Sequence, residues 1–198
     1  MRKRITDGLL KSDGNRTAGD FPFDPEMRRA IEGQPLRAAA VLVPIVERPG
    51  GYTVLLTRRA GHLTSHAGQI SFPGGRIEQA DQNPVVAALR ETEEEVGVAP
   101  ASVDVVGQLD EYHTGTGFSI TPVVGFVRPD IRLRPDPAEV AEAFEVPFDF
   151  LMDPANHMRH RMKWQGLDRE YHAIPYQQYY IWGATAGMLL NLYGKIRE

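Results

Sequence analysis

The pattern of apolar and polar positions along the chain predicts a mixture of short strands and helices. Apolar runs with alternating or continuous character, bounded by Gly and Pro, are typical of strands. A turn signal at Pro49-Gly50-Gly51 lies between the first two of these runs and predicts a hairpin, and Gly74-Gly75 predicts a second turn. The predicted strands are 37–47, 52–57, 69–72, 103–109 and 120–127.

Helical periodicity and end signals predict three helices. In the clearest of them Asn83 is the N-cap, Pro84 lies in the first turn and Gly97 follows the last residue. Another opens with Asp24-Pro25, and the last is apolar nearly all round its first half, so we expect it to be buried. The predicted helices are 24–33, 84–96 and 181–196.

The order of these elements indicates the fold class. Strands and helices mix without regular alternation, which is typical of an α+β or mixed α/β sandwich. Residues 1–23 carry no clear period and are predicted to form an arm that is either loosely held or packs late. We therefore expect an N-terminal arm with a short helix over 1–34 and one domain over 35–198, with a Pro-rich acidic link at 135–142.

The composition narrows the class of protein. A chain of 198 residues with 42% hydrophobic and 24% charged residues is typical of one globular domain. A net charge of −4 gives no reason to expect binding to nucleic acid or to a membrane surface. The absence of cysteine excludes disulfides, thiolate nucleophiles and cysteine zinc sites. The longest apolar run, 38–46, is too short to span a bilayer, so we expect a cytoplasmic protein.

Three glutamates crowd one face of the predicted helix 84–96. Glu91, Glu94 and Glu95 are spaced i, i+3, i+4, so they share a face opposite an apolar stripe of Val85, Leu89, Thr92 and Val96. Like charges at this spacing repel each other, and a hard divalent cation such as Mg²⁺ or Mn²⁺ would neutralise them. Two readings remain open, a metal site and a solvated acidic face.

The residues around these glutamates resemble a known signature. Gly75, followed by Arg90-Glu91-Thr92-Glu93-Glu94-Glu95-Val96-Gly97, is similar to the Nudix box of the Nudix hydrolases. The chain departs from the box at Asp81, where Glu is usual, at Thr92, and in a loop that is one residue longer. The resemblance implies an α/β/α sandwich with a mixed central sheet and metal-dependent hydrolysis of a diphosphate.

The resemblance also implies roles for particular residues. Glu91, Glu94 and Glu95 would bind Mg²⁺ or Mn²⁺, with the Gly75 carbonyl as a further ligand, and Arg90 would orient the carboxylates. One of the glutamates, or an acid from another loop, would accept the proton of the attacking water. Our candidate for that acid is Glu139. The alternative interpretation of Glu139 is a solvent-exposed glutamate with no role in the reaction. The weaker candidates are Glu111 and Glu142.

A second motif, at residues 55–75, resembles the coenzyme A pyrophosphatase branch of the same family. It includes Leu55-Leu56-Thr57, Arg59-Ala60, Gly68 and Phe72-Pro73-Gly74-Gly75, but Thr64 stands where the branch has a second arginine. The segment from Pro175-Tyr176 to Ala186 also looks like this branch. The expected reaction is hydrolysis of coenzyme A to 3′,5′-ADP and 4′-phosphopantetheine.

This second resemblance implies a set of substrate-binding residues. Arg59 is the first choice for the additional 3′-phosphate, while Arg58 is expected to point the other way from its strand. His66 either touches phosphate or caps its loop, and Phe72 either packs beneath the ligand or lies in the core. Trp182 and the tyrosines of 176–180 are expected to pack in the protein. The substrate-binding candidates are Arg59, His66, Gly68, Phe72 and Gly74.

Two other functions stay open at this point. The protein could hydrolyse another nucleotide diphosphate such as ADP-ribose, NADH or a dinucleoside polyphosphate. Thr64, at the position where the coenzyme A branch has arginine, is consistent with this alternative. It could also be a non-catalytic nucleotide-binding module, although it retains all three glutamates. We expect a small-molecule substrate, no nucleic-acid or membrane partner, and a monomer or homodimer.

Overall fold

The computed structural model describes residues 1–10, 17–19, 35–164 and 167–197. The predicted helix at 24–33 lies outside these residues. The helices are α1 (Arg2–Leu10), α2 (Pro84–Val96), α3 (Phe148–Leu151) and α4 (Gly183–Lys195). The strands are β1 (Thr17–Gly19), β2 (Arg37–Arg48), β3 (Gly51–Arg59), β4 (Ile70–Ser71), β5 (Gly74–Arg76), β6 (Val103–Gln108), β7 (Glu111–His113), β8 (Phe118–Val127), β9 (Val140–Pro147), β10 (Met158–Trp164), β11 (Leu167–Tyr176) and β12 (Tyr179–Trp182).

Within the described part of the chain, the strands form two sheets. The larger sheet has the order β1-β7-β8-β2-β3-β4, with β5 beside β2, β6 beside β8 and β9 beside β3. It is mixed, because β2 runs parallel to β8 and antiparallel to β3 and β5. The smaller sheet is β10-β11-β12 and is antiparallel. The predicted hairpin of β2 and β3 and the mixed central sheet are confirmed.

Helices cover both faces of the larger sheet. On one face, Ala87 and Ala88 of α2 pack against Ala40 and Leu42 of β2. On the other face α4 packs, with Leu189 fully buried in a cluster that includes alternate residues of β2. Because β2 is buried on both faces, its sequence is apolar almost without interruption rather than alternating. The architecture is the expected α/β sandwich.

The predicted bounds of α2 agree with the structure. The Asn83 side chain accepts a hydrogen bond from the Val86 amide at 3.0 Å, and Gly97 ends the helix in the left-handed conformation with φ of 73°. Thr92 is buried on the inner face, where its hydroxyl donates to the Ala88 carbonyl at 2.6 Å. This bond satisfies the polar group and explains how a threonine replaces an apolar residue there.

One prediction about local structure was wrong, and over α1 the structure favours one of the two alternatives given for the N-terminal arm. Gly74-Gly75 is part of strand β5, paired with β2, rather than a turn. The start of the chain is not loosely held over its whole length: α1 packs its fully buried Ile5 into the main core, and a Cβ on Gly8 would collide with the Lys195 carbonyl at the end of α4. The division between an arm and a domain at residue 35 stays a prediction.

Other elements differ from the sequence pattern. The last helix begins at Gly183, because the residues before it form β12 of the smaller sheet. Strand β9 begins inside the predicted acidic link, and β7, β10, β11 and α3 were not predicted. Among the described helices, none is long and apolar enough to cross a membrane.

Candidate active site

The C-terminal half of α2 meets three other segments at one place. The first is the segment 134–136, which backbone hydrogen bonds hold against the helix. The amides of Arg134 and Asp136 donate to the carbonyls of Val96 and Glu95 at 2.8 and 2.9 Å. These are carbonyls near the end of a helix, which need partners from outside the helix. The other two segments are β5 and the end of β3. The three glutamates of α2 therefore lie where loops and strand ends converge.

Glycine is required where β5 approaches α2. A Cβ on Gly75 would collide with the Glu91 carboxyl group, so only a glycine allows this carboxylate to lie against the strand. Gly74 has φ of 151°, and a Cβ there would collide with the backbone of β2. The Gly74 amide in turn donates to Glu95 Oε2 at 3.2 Å. The two glycines bring the backbone within reach of two carboxylates.

Glu95 is a nearly buried acid with an incomplete set of partners. It is 3% exposed, accepts the Gly74 bond, and has Arg59 Nη1 at 3.7 Å from Oε1. Burial raises the pKa of Glu95 to about 7, and the nearby charges of Glu139 and Glu91 push it in the same direction. The Gly74 amide and the Arg59 charge lower this pKa, but by less than burial raises it. The site thus carries more negative charge than its described partners compensate.

Glu91 lies beside Glu95 and shares its environment. Its side chain is 15% exposed, and burial raises its pKa, with smaller contributions from the charges of Glu94 and Glu139 in the same direction. Arg90 opposes these effects through a contact at 3.0 Å from Nη1 to Glu91 Oε1. Although the helical spacing places these glutamates opposite the apolar stripe, Glu95 is buried and Glu91 is mostly buried. Glu94 alone points outward, with a side chain 59% exposed.

Arg90 holds the acidic cluster together. Its Nε and Nη2 donate to the two Asp81 oxygens at 3.1 and 3.0 Å, and its Nη1 reaches Glu94 Oε2 at 3.0 Å. A further bond runs from Nη2 to the Arg76 carbonyl at 3.3 Å. This paired, fork-like geometry is the usual way in which arginine fixes a carboxylate. Arg90 therefore contacts two of the carboxylates that the resemblance expects it to orient.

Asp81, the departure from the Nudix box, is the main partner of Arg90. Its side chain is 2% exposed, and its Oδ2 also accepts a hydrogen bond from the Glu78 amide at 2.8 Å. The Arg90 contact lowers the pKa of Asp81. The sequence analysis assigned this residue no role. The signal that could have revealed it was the opposite charge of Arg90, nine residues away on the following helix.

The donor set of this site suits a hard divalent cation. Glu91 and Glu95 offer carboxylate oxygens with raised pKa values in a nearly buried place, and oxygen is what Mg²⁺ and Mn²⁺ prefer. Among the described residues, no three acidic or histidine side chains converge as a ready-made ligand group. Arg90 holds the Glu94 carboxylate away from those of Glu91 and Glu95. The exposed Glu94 side chain nevertheless has room to rotate toward them.

Glu139 lies in a tightly bonded turn beside this cluster. Its amide donates to the Asp136 carbonyl at 3.1 Å, and its carbonyl accepts from the Ala60 amide at 2.8 Å. Asp136 Oδ1 accepts from the Ala138 amide at 2.9 Å, and His62 Nε2 lies 3.0 Å from the Ala138 carbonyl. Sequence reasoning missed His62 and Asp136. Asp136, two residues before Ala138, is a turn-forming side chain that could have been recognised.

The other acidic candidates lie elsewhere. Glu142 pairs with Arg58 at 3.1 Å and accepts a hydrogen bond from the Tyr179 hydroxyl at 2.6 Å. Glu111 bonds with Ser119 and lies 3.6 Å from His113. Glu139, in contrast, acts electrostatically on both Glu91 and Glu95. Of the three candidates for a proton acceptor, the structure brings Glu139 to the cluster.

Arg59 points into the site from the end of β3. Its side chain is 26% exposed, and its Nε is buried without a hydrogen-bond partner in the part of the chain that the structure describes. Arg58 lies on the other side of the strand with Glu142, as expected from strand alternation. Since Arg59 approaches Glu95, it lies at the glutamate cluster and not at a separate place for an additional phosphate.

The remaining substrate candidates have different surroundings. His66 is exposed and lies 2.9 Å from the Gln69 side chain, and the Gly68 amide donates to the Arg59 carbonyl at 3.1 Å. Phe72 is 2% exposed within the main core cluster, so the structure favours its packing role. Trp182 packs edge-on against Tyr171, and Tyr179 stacks on Phe144. Thr64 is exposed on the loop that joins β3 to β4.

Comparison with known proteins identifies the class that this fold and site define. The NUDIX domain family matches residues 36–165. Among solved structures, a MutT/nudix family protein from Enterococcus faecalis superposes with a TM-score of 0.52 at 14% identity, covering 87% of this chain and 68% of that one. The chain belongs to the Nudix family.

More similar relatives indicate which kind of Nudix protein this chain is. The Nudix hydrolase NudL of Shigella flexneri serotype 5b, itself uncharacterized, is 40% identical over 168 residues, which cover 84% of this chain and 87% of that protein. NudL of Cronobacter sakazakii is 41% identical over 174 residues, with 88% and 89% covered. The chain is a Nudix hydrolase, and these names specify no substrate. Nudix hydrolases generally use divalent metal ions such as Mg²⁺ or Mn²⁺.

Proposed function

We propose that this protein hydrolyses the diphosphate bond of coenzyme A or its derivatives. The products would be 3′,5′-ADP and 4′-phosphopantetheine or its acyl form. One observation carries the proposal: the segment at 55–75 that resembles the coenzyme A branch packs directly on the glutamates of the Nudix box. Its Arg59 approaches Glu95 at 3.7 Å, and its Gly74 amide bonds to the same carboxylate.

The residues that would hold a metal ion are Glu91, Glu94, Glu95 and the Gly75 carbonyl. When bound there, Mg²⁺ or Mn²⁺ would supply Lewis-acid chemistry, offsetting the negative charge of the diphosphate. Arg90 fixes the rotamers of Glu91 and Glu94 beforehand, at 3.0 Å from each. This arrangement lowers the cost of ordering flexible side chains when the substrate complex forms.

The chain's own groups then act on the water and on the leaving phosphate. Glu139 accepts the proton as the water oxygen bonds to phosphorus and the bridging phosphorus–oxygen bond breaks. Arg59, whose Nε lacks a partner among the described residues, binds a phosphate oxygen and offsets the charge of the departing group. Gly74 holds Glu95 through its amide. His66 and Gly68 shape the loop that leads to Arg59.

Substitution of Glu139 tests its role as the proton acceptor. Glu139→Gln keeps the size of the side chain but removes the base, so kcat should fall by about a hundredfold or more while KM changes little. Glu142→Gln is the matched control, because Glu142 lies on the same segment but pairs with Arg58. A near-normal kcat in Glu139→Gln, measured at saturating substrate, would remove Glu139 from the mechanism.

A second candidate function is hydrolysis of a different nucleoside diphosphate derivative. The observation that favours it is Thr64, which is exposed and carries no charge where the coenzyme A branch has arginine. ADP-ribose, NADH and dinucleoside polyphosphates are the substrates to compare. A non-catalytic binding module is disfavoured because Glu91, Glu94 and Glu95 are all retained.

Product analysis by mass spectrometry separates these functions. The substrates are coenzyme A, acetyl-coenzyme A, ADP-ribose, NADH and a dinucleoside polyphosphate, each with Mg²⁺, with Mn²⁺ and with chelator. Metal-dependent 3′,5′-ADP from coenzyme A, lost in Glu95→Gln and retained in the exposed neighbour variant Glu93→Gln, is the expected result. Turnover of another substrate with coenzyme A untouched would overturn the proposed substrate. No turnover, with tight nucleotide binding, would support a binding module.

A further inference from the structure

Two arginines converge on one aromatic ring on the opposite face of the sheet from α2. The guanidinium carbon of Arg37 lies 3.9 Å from the centre of the Phe118 ring, and that of Arg76 lies 5.9 Å from it. The register explains this meeting: Arg37 is opposite Phe118, and Ala39, two residues further along β2, is opposite Arg76. Side chains at such positions share a face.

This cluster of Arg37, Phe118 and Arg76 carries positive charge that no described acid neutralises. Arg37 donates to the Thr116 carbonyl at 2.8 Å, which fixes its guanidinium on the ring. The Arg76 side chain has no ion pair or hydrogen bond with the described residues, and both arginines are exposed. An anion bound at Arg76 reduces the repulsion between two like charges beside one ring, and a phosphate suits the guanidinium geometry.

The cluster adjoins the glutamate site through β5. Gly75 faces Glu91, and Arg76, the next residue, projects to the other face of the strand. Among the described strands β5 pairs with β2 only, so its other edge is not covered by a strand. A ligand whose diphosphate lies at Gly75 can therefore place a second phosphate near Arg76 by passing this edge.

We infer that the cluster of Arg37, Phe118 and Arg76 binds an adenosine 3′-phosphate. The inference rests on the proposed function, and it replaces the expectation that Arg59 binds this phosphate, because Arg59 lies at Glu95. Arg76 contacts the 3′-phosphate, and Arg37 with Phe118 supplies a flat cationic surface for the base. The ribose spans the width of β5.

Discrimination between coenzyme A and 3′-dephospho-coenzyme A tests the inference. Wild-type kcat/KM should favour coenzyme A. Arg76→Gln should reduce that preference by about tenfold, because a hydrogen bond between charged groups is lost. Arg76→Lys should keep part of it, and Arg128→Gln, an exposed arginine at the far end of β8, should keep all of it. An unchanged preference in Arg76→Gln would overturn the inference.

A binding measurement separates failure of this inference from failure of the proposed reaction. Calorimetry with 3′,5′-ADP and with 5′-AMP should show tighter binding of 3′,5′-ADP to the wild type and loss of that advantage in Arg76→Gln. This result supports the site even if coenzyme A is not hydrolysed. Equal affinity of the wild type for the two nucleotides would contradict the site even if coenzyme A is hydrolysed.

Discussion

The ion pairs Lys195–Asp110 and Arg59–Glu95 both involve a nearly buried carboxylate, and they differ in how completely that carboxylate is satisfied. Lys195 of α4 lies 2.7 Å from Asp110, with side chains 6% and 7% exposed. Asn191 adds two hydrogen bonds, since its Nδ2 donates to Asp110 Oδ2 at 2.8 Å and its Oδ1 accepts from the Asp110 amide at 3.2 Å. Arg59 and Glu95 are 3.7 Å apart.

This difference separates a buried charge that serves structure from one that serves a ligand. A buried ion pair is tolerated when short contacts and hydrogen bonds satisfy both partners, as at Asp110. Glu95 lacks this, and burial raises its pKa to about 7. An acid that is buried without full compensation lowers the stability of the protein, and a bound cation would remove that cost. We therefore propose that Asp110 serves structure and that Glu95 serves function.

Breaking the satisfied pair should have the largest effect on stability. Asp110→Ala removes the carboxylate of a nearly buried ion pair, which should lower the free energy of unfolding by about 3–5 kcal/mol. Urea denaturation measures this, and the control is Asp130→Ala, whose partner Arg128 is 65% exposed and should lose about 1 kcal/mol or less. Equal losses in the two variants would remove the contrast between structural and exposed pairs.

The raised pKa of Glu95 should make the protein less stable as the pH rises. The native state holds the Glu95 proton up to about pH 7, while the unfolded chain releases it near the ordinary value of 4.5. The native state therefore binds more protons between these values, and its stability should fall as pH rises through them.

Glu95→Gln isolates this contribution from that of other groups. Burial lowers the pKa of His172, which changes stability in the opposite direction as pH rises. The difference in unfolding free energy between Glu95→Gln and wild type, measured in chelator, should grow by a few kcal/mol between pH 4.5 and 7 and then level off. A difference that stays constant with pH would show that Glu95 titrates normally.

The smallest expected effect concerns the turn that carries Glu139. Asp136→Ala removes the acceptor for the Ala138 amide, which is worth about 1 kcal/mol, so kcat should fall by about fivefold as Glu139 loses its position. Asp136→Asn keeps an acceptor oxygen and should restore most of the activity. If the two variants have the same kcat, the turn does not position Glu139.

The sequence predicts best where local signals agree with burial. Helix α2 has its cap residues and its first and last residues where the sequence places them, because Asn83, Pro84 and Gly97 each act on the nearest backbone. Strand β2 follows from its long apolar run. The grouping of Glu91 and Glu95 follows from helical spacing, but their burial does not, because it depends on the approach of β5 from another part of the chain.

What the sequence did not reveal depends on contacts between distant segments. The smaller sheet contains charged strands such as β10, whose polar residues pair with β11 rather than alternate with apolar ones. Helix α1 is polar except for a few positions, and Ile5 is buried only because the protein packs around it. The meeting of Arg37 and Arg76 at Phe118 joins three strands and has no local signal.

We propose that the incompletely compensated carboxyl group of Glu95 marks a cation site. The most direct measurement is the free energy of unfolding at pH 7 with and without Mg²⁺, in wild type, Glu95→Gln and Glu93→Gln. A ligand that binds only the native state stabilises it by mass action. We expect Mg²⁺ to stabilise wild type and Glu93→Gln but not Glu95→Gln. Equal stabilisation of all three proteins would contradict the claim.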